Sequence, residues 1–326
     1  MPALVLEPTP EVLARAVAAW RAGEPVAFPT ETVYGLGADA TKPDAVRKIF
    51  IAKGRPADHP LIVHVAPGDD LARWAAALPD TARRLIDAFW PGPLTLILPR
   101  SAAIPDAVTG GQPTVGLRCP AHPVAQSLLR MFGGAIAAPS ANRFGRISPT
   151  QAAHVFEELG ERIPLIVDGG AATIGIESTI VDLSGERPVL LRPGQITVES
   201  LSRVLQQPIQ PVTGRDSTVR AAGMLDKHYA PQTPLRALPG AALQAAVEQA
   251  VRNRQHVAAI AWSAPIVTPP GLPLFKLPPS PDGVARGLYD ALRQADRASV
   301  AVIFIEQPAD GPDWAGIRDR VRKAVA

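Results

Sequence analysis

Residues 114–138 read TVGLRCPAHPVAQSLLRMFGGAIAA. A five-residue run (114–118) reads as a strand. Apolar positions at helical spacing follow over 122–132, and a second short apolar run closes at 135–138. Strand, helix and strand in succession are the signature of an α/β domain. The same alternation extends in both directions. Upstream, Thr9-Pro10 opens a helix with a capping residue and proline at its first position, and Gly23 stops it. PVAFPT (25–30), LIVHV (61–65) and LTLIL (94–98) read as strands, with helices over 43–52, closed by Gly54, and over 80–90. Downstream, Ser148-Pro149-Thr150-Gln151 fits a capping box opening a helix. PLIVD (164–168), STIVDL (178–183) and PVLLR (188–192) are further strands.

The pattern breaks at 206–235, which carries few apolar residues in any period and reads as a linker. Beyond it, helices are expected at 241–253, 282–295 and 313–325, and strands at 256–262 and 299–306. Seven prolines crowd a loop between 265 and 281. The expected organisation is therefore a first domain over 1–205, a linker over 206–235, and a small β-α-β type domain over 236–326.

Composition bounds the function only loosely. The apolar fraction of 47% supports packed cores, and proline, at 36 of 326 residues, is in excess. One cysteine, Cys119, excludes a disulfide framework and a cysteine-based zinc cluster. No signal peptide or transmembrane stretch is visible, so a cytoplasmic protein without a membrane partner is expected. The net charge of +3 is unevenly placed. Residues 1–205 hold 19 basic and 20 acidic side chains, and residues 206–326 hold 14 and 10. A cationic site in the first domain must come from local placement of a few side chains.

Several loops offer such placement. FPTETVYGLGADA (28–40) sets Thr30, Glu31, Thr32 and Tyr34 before Gly35 and Gly37, either a turn or a loop whose glycines let backbone N–H groups approach an anion. Lys53 and Arg55 at a helix end either offset the helix dipole or point at a phosphate. Thr114 and Arg118, four apart on a strand, share a face. His64 lies within an apolar strand. APSANRFGRISPT (138–150) runs small residues into Arg143 and Arg146, with Ser148 as a candidate N-cap. Glu177, Ser178 and Thr179 enter a strand, and Arg192 leaves one. The six cations Lys53, Arg55, Arg118, Arg143, Arg146 and Arg192, with these hydroxyls, suit a polyphosphate plus a small carboxylate. There is no GxxxxGK[ST] loop, no GxGxxG after a strand, no GxSxG elbow and no HExxH. Cys119 has no adjacent histidine motif, and His122 is close in sequence only.

Taken in order, PTETVYGLGADA, K-G-R-P followed by HPLIVHV, WPGPLTLIL, TVGLRCP, PSANRFGRISPT, ESTIVDL and LRPG resemble the YrdC-like threonylcarbamoyl-AMP synthase family. GMLDKHYAP (223–231) and the tail resemble its long, two-domain form. The resemblance implies a twisted mixed-sheet α/β domain around a concave basic cavity, and a small Rossmann-like C-terminal domain. It implies a nucleotidyltransferase that makes threonylcarbamoyl-AMP and pyrophosphate from L-threonine, bicarbonate and ATP. Mg²⁺ would sit on the ATP phosphates without an assigned protein ligand. A downstream transferase complex would use the product to form N6-threonylcarbamoyladenosine at position 37 of tRNA, with weak direct tRNA contact a further expectation. Carried over by position, Thr32, His64, Arg118 and Ser178 match threonine-binding residues, with Tyr34 close by. Arg55, His59, Thr114, Ala138, Ser140, Ser148 and Arg192 match ATP contacts, and Lys53 completes a basic pair with Arg55. Asn142 shares the Ser140 loop, and His228 and Tyr229 match a segment that folds over the nucleotide. His59 departs from the pattern, since relatives often carry Asn there. No catalytic residue is assigned. Two other classes are weighed. An RNA-binding protein would suit the pI of 9.2, but aromatics are only 5%. A carbamoyl-phosphate-using relative would carry zinc-finger and acylphosphatase-like segments, which are not seen.

Overall fold

The structure, a computed structural model, describes residues 2–211, 219–225, 227–263 and 265–325. Residues 212–218 and 226 of the expected linker lie outside the described residues. Contacts divide the chain into two units. One comprises Met1–Phe144, Pro149–Thr173 and Glu177–Met224; the other comprises Gly145–Ser148, Ile174–Ile176 and Leu225–Ala326.

In the first unit the chain runs β1 (Leu4–Leu6), α1 (Pro10–Arg21), β2 (Val26–Phe28), β3 (Gly35–Asp39), α2 (Pro43–Lys53), β4 (Ile62–His64), α3 (Asp80–Phe89) and β5 (Leu94–Pro99). It continues through α4 (Asp106–Thr109), β6 (Thr114–Arg118), α5 (Pro123–Phe132), β7 (Ile136–Ala137), α6 (Ala152–Leu159), β8 (Leu165–Val167), β9 (Thr179–Asp182), β10 (Val189–Arg192), α7 (Val198–Leu205) and β11 (Gln210–Pro211). Among the described residues these strands form one mixed sheet in the order β1-β8-β2-β3-β7-β4-β6-β5-β9-β10-β11.

Local chemistry sets the element ends. Thr9 Oγ1 accepts from the Val12 amide at the start of α1, and Gly54, at φ +61°, turns the chain out of α2. Side chains alternate across the strands and so sort onto two faces. Val63, Leu96, Leu98, Val115, Leu117 and Val181 face a core built with α2, α3, α4, α6 and α7. On the other face α1 and α5 bring Val17, Trp20, Leu128 and Leu129 against Phe28, Ile136 and Val167. Those two helices cover only that half of the sheet. Farther along the same face, Ile97, Ile180 and Leu191 pack with Ile62, Val189, Val219, Ala221 and Met224, none of them helical. The candidate site lies on this half of the face.

Three local expectations are corrected. Gly35 and Gly37 are not a ligand loop. They lie in β3, and a Cβ at Gly37 would meet Phe28 and Ile136 side-chain carbons at 2.7 Å, so the missing side chain serves close packing. Ser148 does not cap a helix. α6 starts at Ala152 with Gln151 as its N-cap, because the Pro149 carbonyl accepts from the Tyr34 amide and the Thr150 amide donates to His154 Nδ1. The third concerns the second unit, where the proline-crowded loop contains a strand.

That unit comprises β12 (Leu235–Leu238), α8 (Gly240–Arg252), β13 (Val257–Ala261), β14 (Leu274–Lys276), α9 (Pro281–Arg297), β15 (Val302–Glu306) and α10 (Ala315–Val325). Its sheet is parallel throughout, in the order β12-β15-β13-β14. Among the described residues β14 pairs only with β13, and an edge strand tolerates flanking prolines. No helix among the described residues is long and apolar enough to cross a membrane.

Candidate active site

Strand register brings the first group of candidates together. His64 stands opposite Arg118 between β4 and β6, and Ile62 opposite Gly116. Leu96 pairs with Leu117 between β6 and β5, which carries Thr95 to the Arg118 end of that strand pair. Thr95 pairs with Ile180 on β9, and Arg192 pairs with Ile180 from β10. The outcome is a transverse row of His64, Arg118, Thr95, Ile180 and Arg192 on this face. Gly116 keeps the centre of that face shallow, since a Cβ there would lie 3.1 Å from Ile97 Cδ1.

Hydrogen bonds fix the row. Arg118 donates through Nη2 to Glu31 Oε1 at 2.6 Å and through Nε to the Gly92 carbonyl at 3.3 Å. Ser178 Oγ lies 2.8 Å from Thr95 Oγ1, and Arg192 Nη2 donates to Ser178 Oγ at 3.1 Å. Arg192 also donates to the Ser178 and Ala222 carbonyls at 3.0 Å each. Thr32 Oγ1 lies 2.9 Å from Thr30 Oγ1, in the loop that carries Glu31. The His64 ring meets Phe28 edge-on, and its Nδ1 is buried without a hydrogen-bond partner among the described residues. Burial, reinforced by the Arg118 charge, lowers the His64 pKa to about 3, so the ring is neutral. Tyr34 is fully buried, with its hydroxyl donating to the Gly170 carbonyl at 2.7 Å and to Asp168 at 3.2 Å. Its hydroxyl is thus committed to the 168–170 loop.

A second group gathers around the 139–144 turn. Lys53, the buried last residue of α2, donates to the Ser140 carbonyl at 2.5 Å and to the Asn142 carbonyl. Burial, and then the neighbouring Arg55 charge, push its pKa well below the ordinary lysine value, against the pull of Glu158. Arg55 lies 5.7 Å from the Phe144 ring centre, and the His59 ring meets the same ring edge-on at 5.2 Å. Burial, with Arg55 adding to it, lowers the His59 pKa. The Ala138 amide donates to the Ile62 carbonyl, and Ser140 bridges to Gly35. Thr114 starts β6, on the Arg118 face but two turns of the pleat away.

Ser148, His228 and Tyr229 belong to the second unit. Ser148 is fully buried there. The His228 and Tyr229 rings meet edge-on at 4.1 Å, and Arg320 lies 5.3 Å from the Tyr229 ring centre.

Two of the six expected cations are spent elsewhere. Arg143 pairs with Glu158 at 3.1 Å, and Arg146 pairs with Asp296 at 3.4 Å. Cys119 is buried, and burial pushes its thiol up to about 12, which removes a thiolate nucleophile. His122 caps α5, its Nδ1 accepting from the Val124 amide. Sequence reasoning missed Thr95 and the pairing of Glu31. A signal for Thr95 exists: it is the polar residue in LTLIL, two positions from Ile97 and so on the same face. Glu31 had none, because its partner is 87 residues away.

Comparisons with known proteins cover both units. A Sua5, YciO and YrdC family model described as "Telomere recombination" matches residues 18–194, and the model "Threonylcarbamoyl-AMP synthase, C-terminal domain" matches 196–326. The chain is 42% identical over 326 residues to the threonylcarbamoyl-AMP synthase of Bacillus subtilis (strain 168), covering 96% of this chain and 92% of that protein. It is 41% identical over 309 residues to that of Pyrococcus abyssi (strain GE5 / Orsay), covering 93% and 91%. The crystal structure of P. abyssi Sua5 complexed with L-threonine matches with a TM-score of 0.90 at 37% identity, covering 100% of this chain and 98% of that one.

Proposed function

This chain belongs to the threonylcarbamoyl-AMP synthase family, and from that premise we propose that it converts L-threonine, bicarbonate and ATP to threonylcarbamoyl-AMP and pyrophosphate. The observation that carries the reading is the hydroxyl-flanked, buried Arg118 on the sheet face beyond α1 and α5. Arg118 would hold the threonine carboxylate, and Thr32 and Ser178 its hydroxyl and amine, with neutral His64 beside them. Tyr34 would fix the loop next to them. Lys53, Arg55, His59, Thr114, Ala138, Ser140, Asn142, Ser148, Arg192, His228 and Tyr229 are proposed to serve ATP. The catalytic unit would be 1–205, with 206–235 a linker or lid and 236–326 the small α/β domain.

The chemistry asks for placement more than for a protein nucleophile. The threonine amine attacks bicarbonate and water leaves, giving a carbamate. A carbamate oxygen then attacks the α-phosphorus, and pyrophosphate carries away the electron pair. Arg118 and Thr32 would orient the amine, Lys53 would hold the 139–144 turn against the nucleotide, and Arg55 and Arg192 would stabilise charge developing on the phosphates. Exclusion of water protects the carbamate. The donors placed here are cations and hydroxyls, which fit phosphate oxygens. Among the described residues no three His, Cys, Asp or Glu gather to hold a metal. Mg²⁺ brought with ATP would supply further neutralisation of the phosphate charge beside Arg55 and Arg192.

Pyrophosphate release in the presence of Mg²⁺ and ATP tests the proposal. Release is expected to require both threonine and bicarbonate, and release independent of either defeats it. The product would pass to a threonylcarbamoyl transferase complex for tRNA modification, with at most weak direct tRNA contact. The setting proposed is the cytoplasm, without a membrane partner.

A further inference from the structure

Glu31 is a buried carboxylate that the account above uses only as a partner of Arg118. Oε1 carries that ion pair at 2.6 Å. Oε2 is buried and has no hydrogen-bond partner among the described residues. A carboxylate kept only to neutralise a guanidinium gains most by offering both oxygens to the fork. Here one oxygen is left unmatched in a place where an unmatched acceptor is costly. Arg118 shows the complementary opening. Its Nε and Nη2 are engaged, and Nη1 makes no hydrogen bond among the described residues. An open acceptor and an open donor therefore sit on the two members of one ion pair. The Thr30 and Thr32 hydroxyls flank the carboxylate along the chain.

Two opposite charges separated by a single carbon are what an α-amino acid presents. We propose that Glu31 Oε2 receives the α-ammonium of the substrate while Arg118 Nη1 receives its carboxylate, so that the pair reads the zwitterion. Glu31 is then a positioning and specificity residue. It distinguishes an amino acid from the hydroxy acid of the same skeleton and sets the nitrogen at one defined point. The inference rests on the proposed use of threonine and adds a residue to its site.

Calorimetric titration of the full-length protein with L-threonine and with (R)-3-hydroxybutanoate, which lacks only the amine, tests it. The wild type is expected to prefer L-threonine by about tenfold to a hundredfold, the range of a charge-assisted hydrogen bond. Glu31→Gln should bring that ratio toward one, threonine affinity changing unfavourably relative to hydroxybutanoate affinity by that same tenfold to hundredfold. Glu31→Asp, which keeps the charge, should retain more of the ratio than Glu31→Gln. A merely structural Glu31 would weaken both ligands together. A wild type without preference, or a Glu31→Gln protein that keeps the ratio, overturns the proposal. The wild-type ratio holds as a test even where a variant does not fold. A wild type that binds no threonine overturns the functional reading and this proposal with it.

Discussion

Lys53 and Lys323 are both buried lysines, one in each unit, and they are held in opposite ways. Lys53 sits on the Ser140 and Asn142 carbonyls, with no carboxylate within ion-pair distance among the described residues. Lys323 lies 2.8 Å from the Asp319 carboxylate, which also takes Arg320 at 2.9 Å and Arg322 at 3.1 Å. Burial pushes the Asp319 pKa up, but Arg320 and Lys323, with the hydrogen bonds from Lys323 and Arg322, outweigh it and leave it below the ordinary value. In the second unit cations therefore meet an acid of their own. In the first, a buried lysine is held by neutral dipoles alone, and burial disfavours its charged form. This resolves the uneven charge balance. Residues 206–326 hold the surplus of basic side chains, yet the charge suited to an anionic ligand lies in the nearly neutral first 205 residues.

The comparison breaks most visibly at Asp319. Asp319→Asn removes the carboxylate that Arg320, Arg322 and Lys323 share and should cost about 3 kcal/mol in urea unfolding, the scale for removing one partner of a buried pair. A loss below about 1 kcal/mol would mean that the acid is not what holds those cations. Next come the first-unit cations. Lys53→Met should lower kcat/KM for ATP roughly a hundredfold and stability by only about 1–2 kcal/mol, as two carbonyls lose a donor. A dominant stability loss with intact kinetics would make Lys53 structural. Arg118 is the intermediate case, with one carboxylate and one carbonyl. Arg118→Ala should raise the threonine KM by one to two orders of magnitude, about what a charge-assisted bond contributes, and the ATP KM far less. Equal effects on both substrates would reassign it.

The effect of His64 shows only as pH is changed. Its folded pKa, about 3, lies below the ordinary 6.5, so between those values the unfolded chain takes a proton that the folded one refuses. Its contribution is full above pH 6.5 and is lost as pH falls toward 3. It should account for about 2 kcal/mol of the stability difference between pH 7 and pH 5. His64→Asn should flatten that slope, as read from urea midpoints at the two pH values. An unchanged slope would show that Arg118 and burial do not hold the ring neutral.

Much of this arrangement is legible in the chain because it follows from short-range rules. The strand pattern over 94–98 and 114–118, the Thr9-Pro10 cap and the Gly54 stop appear where local physics puts them. Placing Thr114 and Arg118 on one face needs only the period of the pleat. What escapes is decided by partners distant in sequence. GLGAD reads as a loop until Phe28 and Ile136 are known to press on Gly37. Ser148 looks like a cap until the Tyr34 amide takes the Pro149 carbonyl. β14, wedged among prolines, exists because β13 offers it an edge. Arg143 and Arg146 look available until Glu158 and Asp296 are in place.

Cys119 gives the site a built-in clock. It is the only thiol in the chain, lies one residue beyond Arg118, and is shut away with its proton held tightly. A thiol-directed dye can colour the folded protein only when the end of β6 comes loose, so the labelling rate counts those openings. Any ligand that grips Arg118 should slow the clock. Substrate occupancy could then be followed optically, without introducing a reporter and without turnover.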